Sequence, residues 1–107
     1  MEKQDKLFVS LFNDYYGALL TDNQQDVVQM YYDEDMSLSE IGTQLGISPQ
    51  GVRDRLQRAE KTLVELENKL HLVEKTSSMR KLLEELYPLA SEEKKQEIDD
   101  ILHLLEK

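Results

Sequence analysis

Ser48, Gln50, Arg53, Asp54, Gln57, Arg58 and Lys61 place seven polar side chains within fourteen positions. Their chemistry suits the edges and phosphates of nucleic acids. Glutamine can read an adenine edge, and arginine can read guanine or hold a phosphate. Lysine reaches phosphate, and Asp54 repels it unless it accepts from a cytosine. Other chemistry has less support. The absence of cysteine excludes a disulfide framework, thiolate metal sites and a cysteine nucleophile. His71 and His103 each stand alone on a predicted helix. Asp33-Glu34-Asp35 lacks the later ligands and the glycine of a calcium loop. The tyrosines Tyr15, Tyr16, Tyr31 and Tyr32 could stack on bases, but their spacing fits a core with hydroxyls at its boundary. No glycine-rich phosphate loop occurs. The expectation is a non-enzyme with no cofactor and no metal.

The elements that position the polar cluster are helices. Leu, Glu, Lys and Gln abound, with 4 Gly and 2 Pro in 107 residues, so helix is the default. Leu7, Phe8, Leu11, Phe12, Tyr15, Tyr16 and Leu19 form an apolar stripe on a first helix, roughly 6–18, that Asp5 can cap. Thr21 with Gln24 reads as a capping box for a second helix, roughly 22–32. Ser37 with Glu40 reads as another, opening a short helix to about Leu45. Gly46 marks a turn at positive φ. Ser48-Pro49 starts the next helix, serine as cap and proline at the first position. The sequence offers no breaker until Thr76-Ser77-Ser78, which predicts a long helix over 49–75. A helix over 77–87 stopped by Pro88 and a last one capped by Ser91 complete the chain. The prediction is all-α: a helix-turn-helix domain over 1–75 and a C-terminal helical extension over 76–107.

Composition bounds the function. Apolar residues are 39% and charged residues 33%, which suits a folded water-facing domain. The net charge is −9, which argues against nonspecific binding to nucleic acid or anionic membrane. Residues 37–62 stand apart, with four basic groups (Arg53, Arg55, Arg58, Lys61) against three acidic (Glu40, Asp54, Glu60). No apolar run approaches the ~18 residues of a membrane span. The first residues lack a basic segment followed by an apolar one, so no signal peptide is expected. A cytoplasmic protein is the expectation.

Ser37–Leu63 has the pattern of a helix-turn-helix. Leu38, Ile41 and Leu45 face inward on the first helix, Ile47 plugs the turn, and Val52, Leu56 and Ala59 face inward on the second. Gly42 has no side chain, so the following helix can cross closely. At 100° per residue, the outward face of the second helix carries Gln50, Asp54, Gln57, Arg58 and Lys61, with Arg53 and Arg55 on its flanks. These residues serve DNA in one reading. In the other they are a solvated face on a scaffold that docks a protein.

Glu40-Ile41-Gly42, Leu45-Gly46-Ile47-Ser48 and Val52–Ala59 resemble region 4 of sigma factors. A longer resemblance spans residues ~7–75. Leu19–Gln24, Tyr31–Leu38, Ser48 with Gln50 and Val52, Arg58 with Glu60-Lys61, and Lys69–Leu72 are similar to the YlxM family of small bacterial helix-turn-helix proteins. Pro49, Gly51 and Arg53 stand where that family usually has Arg, Ala and Tyr. The resemblance implies a cytosolic, non-enzymatic protein linked to the signal recognition particle pathway, with components of that particle as partners.

The inward stripe continues beyond Ala59. Val52, Leu56, Ala59, Leu63, Leu66, Leu70 and Val73 alternate spacings of four and three, a heptad pattern. Arg55 and Lys69 at g would face Glu60 and Glu74 at e of a parallel partner, with Glu67 the remaining e position. Leu63, Leu66, Leu70 and Val73 are therefore a candidate homodimer interface. The alternative is that the stripe packs on the chain's own helices, with the C-terminal helices folding back or completing a dimer.

Overall fold

The computed structural model describes residues 3–106, with side-chain surroundings from residue 6 onward. Among the described residues there are six α-helices and no strand: α1 Lys3–Tyr16, α2 Asp22–Val28, α3 Leu38–Leu45, α4 Pro49–Leu70, α5 Leu72–Leu86 and α6 Glu92–Leu105. The all-α prediction holds. Two compact units divide between Leu70 and His71, whereas the sequence predicts a boundary after residue 75.

Local chemistry sets most helix starts. Thr21 Oγ1 accepts from Gln24 N–H at 3.2 Å, and Gln24 Oε1 accepts in return from Thr21 N–H at 3.1 Å. Ser37 and Glu40 repeat the exchange at 3.0 and 2.9 Å. Each box satisfies two backbone donors that a helix start leaves without partners. Ser91 Oγ caps α6 by accepting from Lys94 N–H. The first helix differs from its prediction. It already runs at Lys3, so Asp5 lies inside it rather than at its cap, and the Asp5 side chain falls outside the described surroundings. After Tyr16 the helix tightens into a 3₁₀ turn over Gly17–Leu19.

The second helix also departs from a plain α-helix. From Gln29 to Asp33 the chain widens into a π turn, in which Glu34 N–H donates to Gln29 O at 3.0 Å. Such wide turns inside helices are rare. This one carries Tyr31 and Tyr32, whose rings meet edge to face with centroids 5.0 Å apart. Asp35 closes it at φ 57. Lys6 reaches back from α1, 3.0 Å from Asp35 Oδ1 and above the Tyr31 ring.

In the first unit α1, α2 and α3 each pack on α4. Val9, Tyr16, Leu20, Val27, Val28, Tyr32 and Ile41 meet Val52, Leu56, Ala59 and Leu63 in one buried core. The expected tyrosine core is present for Tyr16 and Tyr32, whose phenols end at the boundary on two glutamates of α4. Tyr16 Oη donates to Glu67 Oε1 at 2.5 Å, and Tyr32 Oη donates to Glu60 Oε2. The heptad pattern puts Glu60 and Glu67 at e positions, facing a partner chain. They serve their own chain instead, because the phenols reach the helix edge just where the core ends.

The helix predicted over 49–75 ends at Leu70. His71 takes the left-handed conformation, φ 55 and ψ 30, and the next helix starts at once with Lys75 N–H donating to His71 O. Histidine visits that region more readily than most side chains, so the break needs neither glycine nor proline. Thr76-Ser77-Ser78, where residue types predict the break, lie inside α5. The heptad stripe is thus divided between two helices, Leu70 ending α4 and Val73 lying in α5.

The second unit is a helical hairpin. A 3₁₀ turn over Tyr87–Leu89, with Pro88 inside it, joins α5 to α6. Lys95 lies over the Tyr87 ring near the turn, and Arg80 Nη2 donates to Leu105 O at 3.1 Å far from it. Those two pairs make the helices antiparallel.

Candidate nucleic-acid interface

A tight turn holds the two helices of the motif. Gly46 ends α3 at φ 74, the left-handed position that glycine occupies without strain. Ile47 N–H then donates to Gly42 O at 2.9 Å. A Cβ on Gly42 would stand 2.6 Å from Ile47 O. The close approach that needs Gly42 is therefore made by the turn's own backbone, not by the crossing helix. Beyond the turn, Ser48 Oγ accepts from Gly51 N–H at 3.0 Å and Ser48 O accepts from Val52 N–H. Ser48 acts as the α4 cap, so its hydroxyl serves the fold first.

The other candidates gather on one face. Gln50, Arg53, Asp54, Gln57, Arg58 and Lys61 are all exposed, and Arg55 is half-buried on the flank. Val52, Leu56 and Ala59 on the opposite side are buried. Asp54, Gln57, Arg58 and Lys61 line a shallow depression along the helix. Among the described residues none of the four basic groups, Arg53, Arg55, Arg58 and Lys61, is held in an ion pair. Gln50 Nε2 donates to Asp54 Oδ1 at 3.0 Å, one turn along α4. That bond gives the carboxylate a local partner and occupies one of the two amide donors that could read adenine. Both groups are exposed, so the exchange for a base edge costs little.

Spacing does not indicate one neighbouring feature. Tyr31 from the π turn and Leu38 at the start of α3 join Arg53, Leu56, Gln57 and Glu60 around a groove of about 280 Å³. It places an apolar floor beside the polar face of α4. Tyr31 enters it only because the chain widens at Gln29–Asp33, which no residue pattern announces.

The four residues expected at a dimer interface differ in exposure and fall in both units. Leu63 is 0% exposed in the core of its own unit and offers nothing to a second chain. Leu66 is half-buried and Leu70 exposed at the end of α4, while Val73 is half-buried on α5. Among the described residues no helix is long and apolar enough to cross a membrane.

A short helix, a glycine turn at positive φ and a longer helix with a free polar face define a helix-turn-helix protein. Residues 1–103 match the model of the UPF0122 family, described as "Putative helix-turn-helix protein, YlxM / p13 like". The chain belongs to this family. A UPF0122 protein of Desulforamulus reducens is 49% identical over 81 residues, covering 76% of this chain and 69% of its own length. A second, from Caldanaerobacter subterraneus subsp. tengcongensis, is 50% identical over 84 residues, covering 78% and 72%. A third, from Clostridium botulinum, is 41% identical over 78 residues, covering 73% and 70%.

Proposed function

We propose that this chain is a cytoplasmic, non-enzymatic regulatory protein that sets α4 against the major groove of DNA. The observation that carries the reading is the exposed face of Gln50, Arg53, Gln57, Arg58 and Lys61 on the second helix of the motif. Arg58 reads guanine or grips phosphate, Lys61 grips phosphate, and Gln50 and Gln57 read adenine edges. Arg53 on the flank adds a phosphate contact. The resemblance of residues ~7–75 to YlxM proteins supports service in protein targeting, beside components of the signal recognition particle.

The net charge of −9 favours a second reading, in which the same face docks a protein. Four basic groups set an upper slope of about −3.6 in log affinity against log salt, at about −0.9 per phosphate. Titration of the protein and of Arg58→Glu against labelled genomic DNA fragments, at low and moderate salt, tests the two. DNA reading requires that some fragments bind well above the rest and that Arg58→Glu loses them, by about 1–3 kcal/mol or more. Weak curves that coincide for both proteins and vanish with salt leave the docking reading in its place.

A further inference from the structure

The C-terminal hairpin is too lightly packed to stand by itself. Ile98 is the one apolar side chain among its described residues that is buried. Chains below about 40 residues usually need a disulfide, a metal or association to hold a fold. Cysteine is absent. Association is one of the means left to it.

The hairpin also carries an exposed apolar face. Arg80 and Leu83 of α5 point towards α6, and Ile98, Leu102 and Leu105 point back; all are buried or half-buried. The residues one position earlier are Met79 and Leu82 on α5, then Glu97, Ile101 and Leu104 on α6, with Glu97 held in an ion pair by Lys94. Leu86 continues the α5 row one turn beyond Leu82. In two antiparallel helices, a step of minus one from the inward position turns to the same side of both. These five apolar side chains therefore share one face of the hairpin, with Glu97 as the charged residue among them. They are 46%, 59%, 54%, 43% and 82% exposed for Met79, Leu82, Leu86, Ile101 and Leu104. The step of plus one gives Lys81, Glu84, Asp99, His103 and Glu106, a polar opposite face.

We infer that this face seats the same face of a second copy of the chain, joining two hairpins into a four-helix bundle. The five side chains leave on the order of 500 Å² of apolar surface open. A standard interface takes about 800 Å² from each partner, and about two-thirds of it is apolar in homodimers. The patch thus supplies the apolar share of one such interface. Charge complements itself as well. Lys75 and Glu85, both exposed, flank the α5 row on either side of its centre. An isologous pairing with α5 antiparallel to its copy brings each Lys75 towards the partner's Glu85. The inference goes beyond the reading of α4 and does not depend on it.

Light scattering of the full chain across micromolar concentrations, with circular dichroism to follow helix content, tests it. The expected mass is twice that of one chain. Leu82→Glu and Leu104→Glu should each raise the dissociation constant at least tenfold, whereas Leu7→Glu, on the exposed face of α1, should leave it unchanged. Lys75→Glu and Glu85→Lys should each weaken the dimer, and the double exchange should restore it. The exchanges sit at exposed sites, so they test the pairing even where a buried charge at Leu82 melts the hairpin. A single-chain mass throughout, a dimer indifferent to Leu82→Glu and Leu104→Glu, or a double exchange without recovery overturns the inference.

Discussion

Tyr16 and Glu67 meet in a 2.5 Å hydrogen bond between residues 51 positions apart, phenol to carboxylate Oε1. Tyr16 is 1% exposed, so its ring is core and its oxygen is the last polar atom before the edge. A hydrogen bond to a charged group contributes about 1.5–3 kcal/mol. Tyr16→Phe keeps the ring and should cost about 1–2 kcal/mol in denaturant melts. Tyr16→Ala also empties the core and should cost about 3–5 kcal/mol. If the two variants lose equal stability, the hydroxyl is what matters and the ring packing described above is wrong.

The two glycines of the motif should fail differently. Gly42→Ala drives a Cβ into the carbonyl of Ile47, and backbone has little room to yield. The expected loss is about 1–3 kcal/mol, as for overpacking. Gly46→Ala meets nothing within 4 Å and pays only for its left-handed φ, about 1–2 kcal/mol. Gly42→Ser should track Gly42→Ala, while Gly46→Asn should recover much of the loss at 46, since asparagine tolerates that region. Melting temperatures of the four variants check the pattern.

Acid should loosen the start of α3. The Ser37 backbone N–H, and then its hydroxyl, hold the Glu40 carboxyl below its ordinary value of 4.5. A depressed carboxyl stabilises the fold above its unfolded pKa, and the gain is lost as pH falls through the folded value. Glu40→Gln keeps an acceptor but does not titrate. The wild type should be the more stable at neutral pH, and the gap should close as pH falls below about 4.5. A gap that stays constant to pH 3 would rule out ionised Glu40 as its source.

Asp54→Asn should sharpen the case for DNA. Removing a carboxylate from beside Arg58 and Lys61 takes away a repulsion from phosphate. Binding to most fragments should strengthen, while the amide oxygen that replaces the carboxylate can still accept from Gln50. Were Asp54 instead to accept from a cytosine, the same change should relax selectivity at one base pair. Titrations on matched fragments separate the two results, and unchanged affinity throughout would take Asp54 off the interface.

What the sequence reveals here follows the range of each interaction. The capping boxes at Thr21 and Ser37, the cap at Ser48 and the turn at Gly46 depend on residues within four positions, so residue types alone disclose them. The outward face of α4 follows from 100° per residue once Val52, Leu56 and Ala59 are turned inward. The end of α4 is different. The stripe from Leu63 through Leu66 and Leu70 to Val73 keeps its spacing across His71, so periodicity runs through a break that backbone conformation alone makes. The π turn at Gln29–Asp33 leaves no pattern either. The partners of Glu60 and Glu67 come from elements 28 and 51 positions away, which spacing along one helix cannot supply.

Those two glutamates also fix a length. They stand seven positions apart, close to two full turns of helix, so both point to one side and each receives a phenol from a different element. Adding or removing one residue between them would swing one carboxylate by about 100° relative to the other. One tyrosine would keep its acceptor and the other would lose it, whatever residue was inserted. Substitutions along the outward side of this stretch, such as Val64 or Glu65, leave that register untouched. Viable variants of this protein should therefore change letters between Lys61 and Glu67 freely on the solvent side while keeping the number of letters constant.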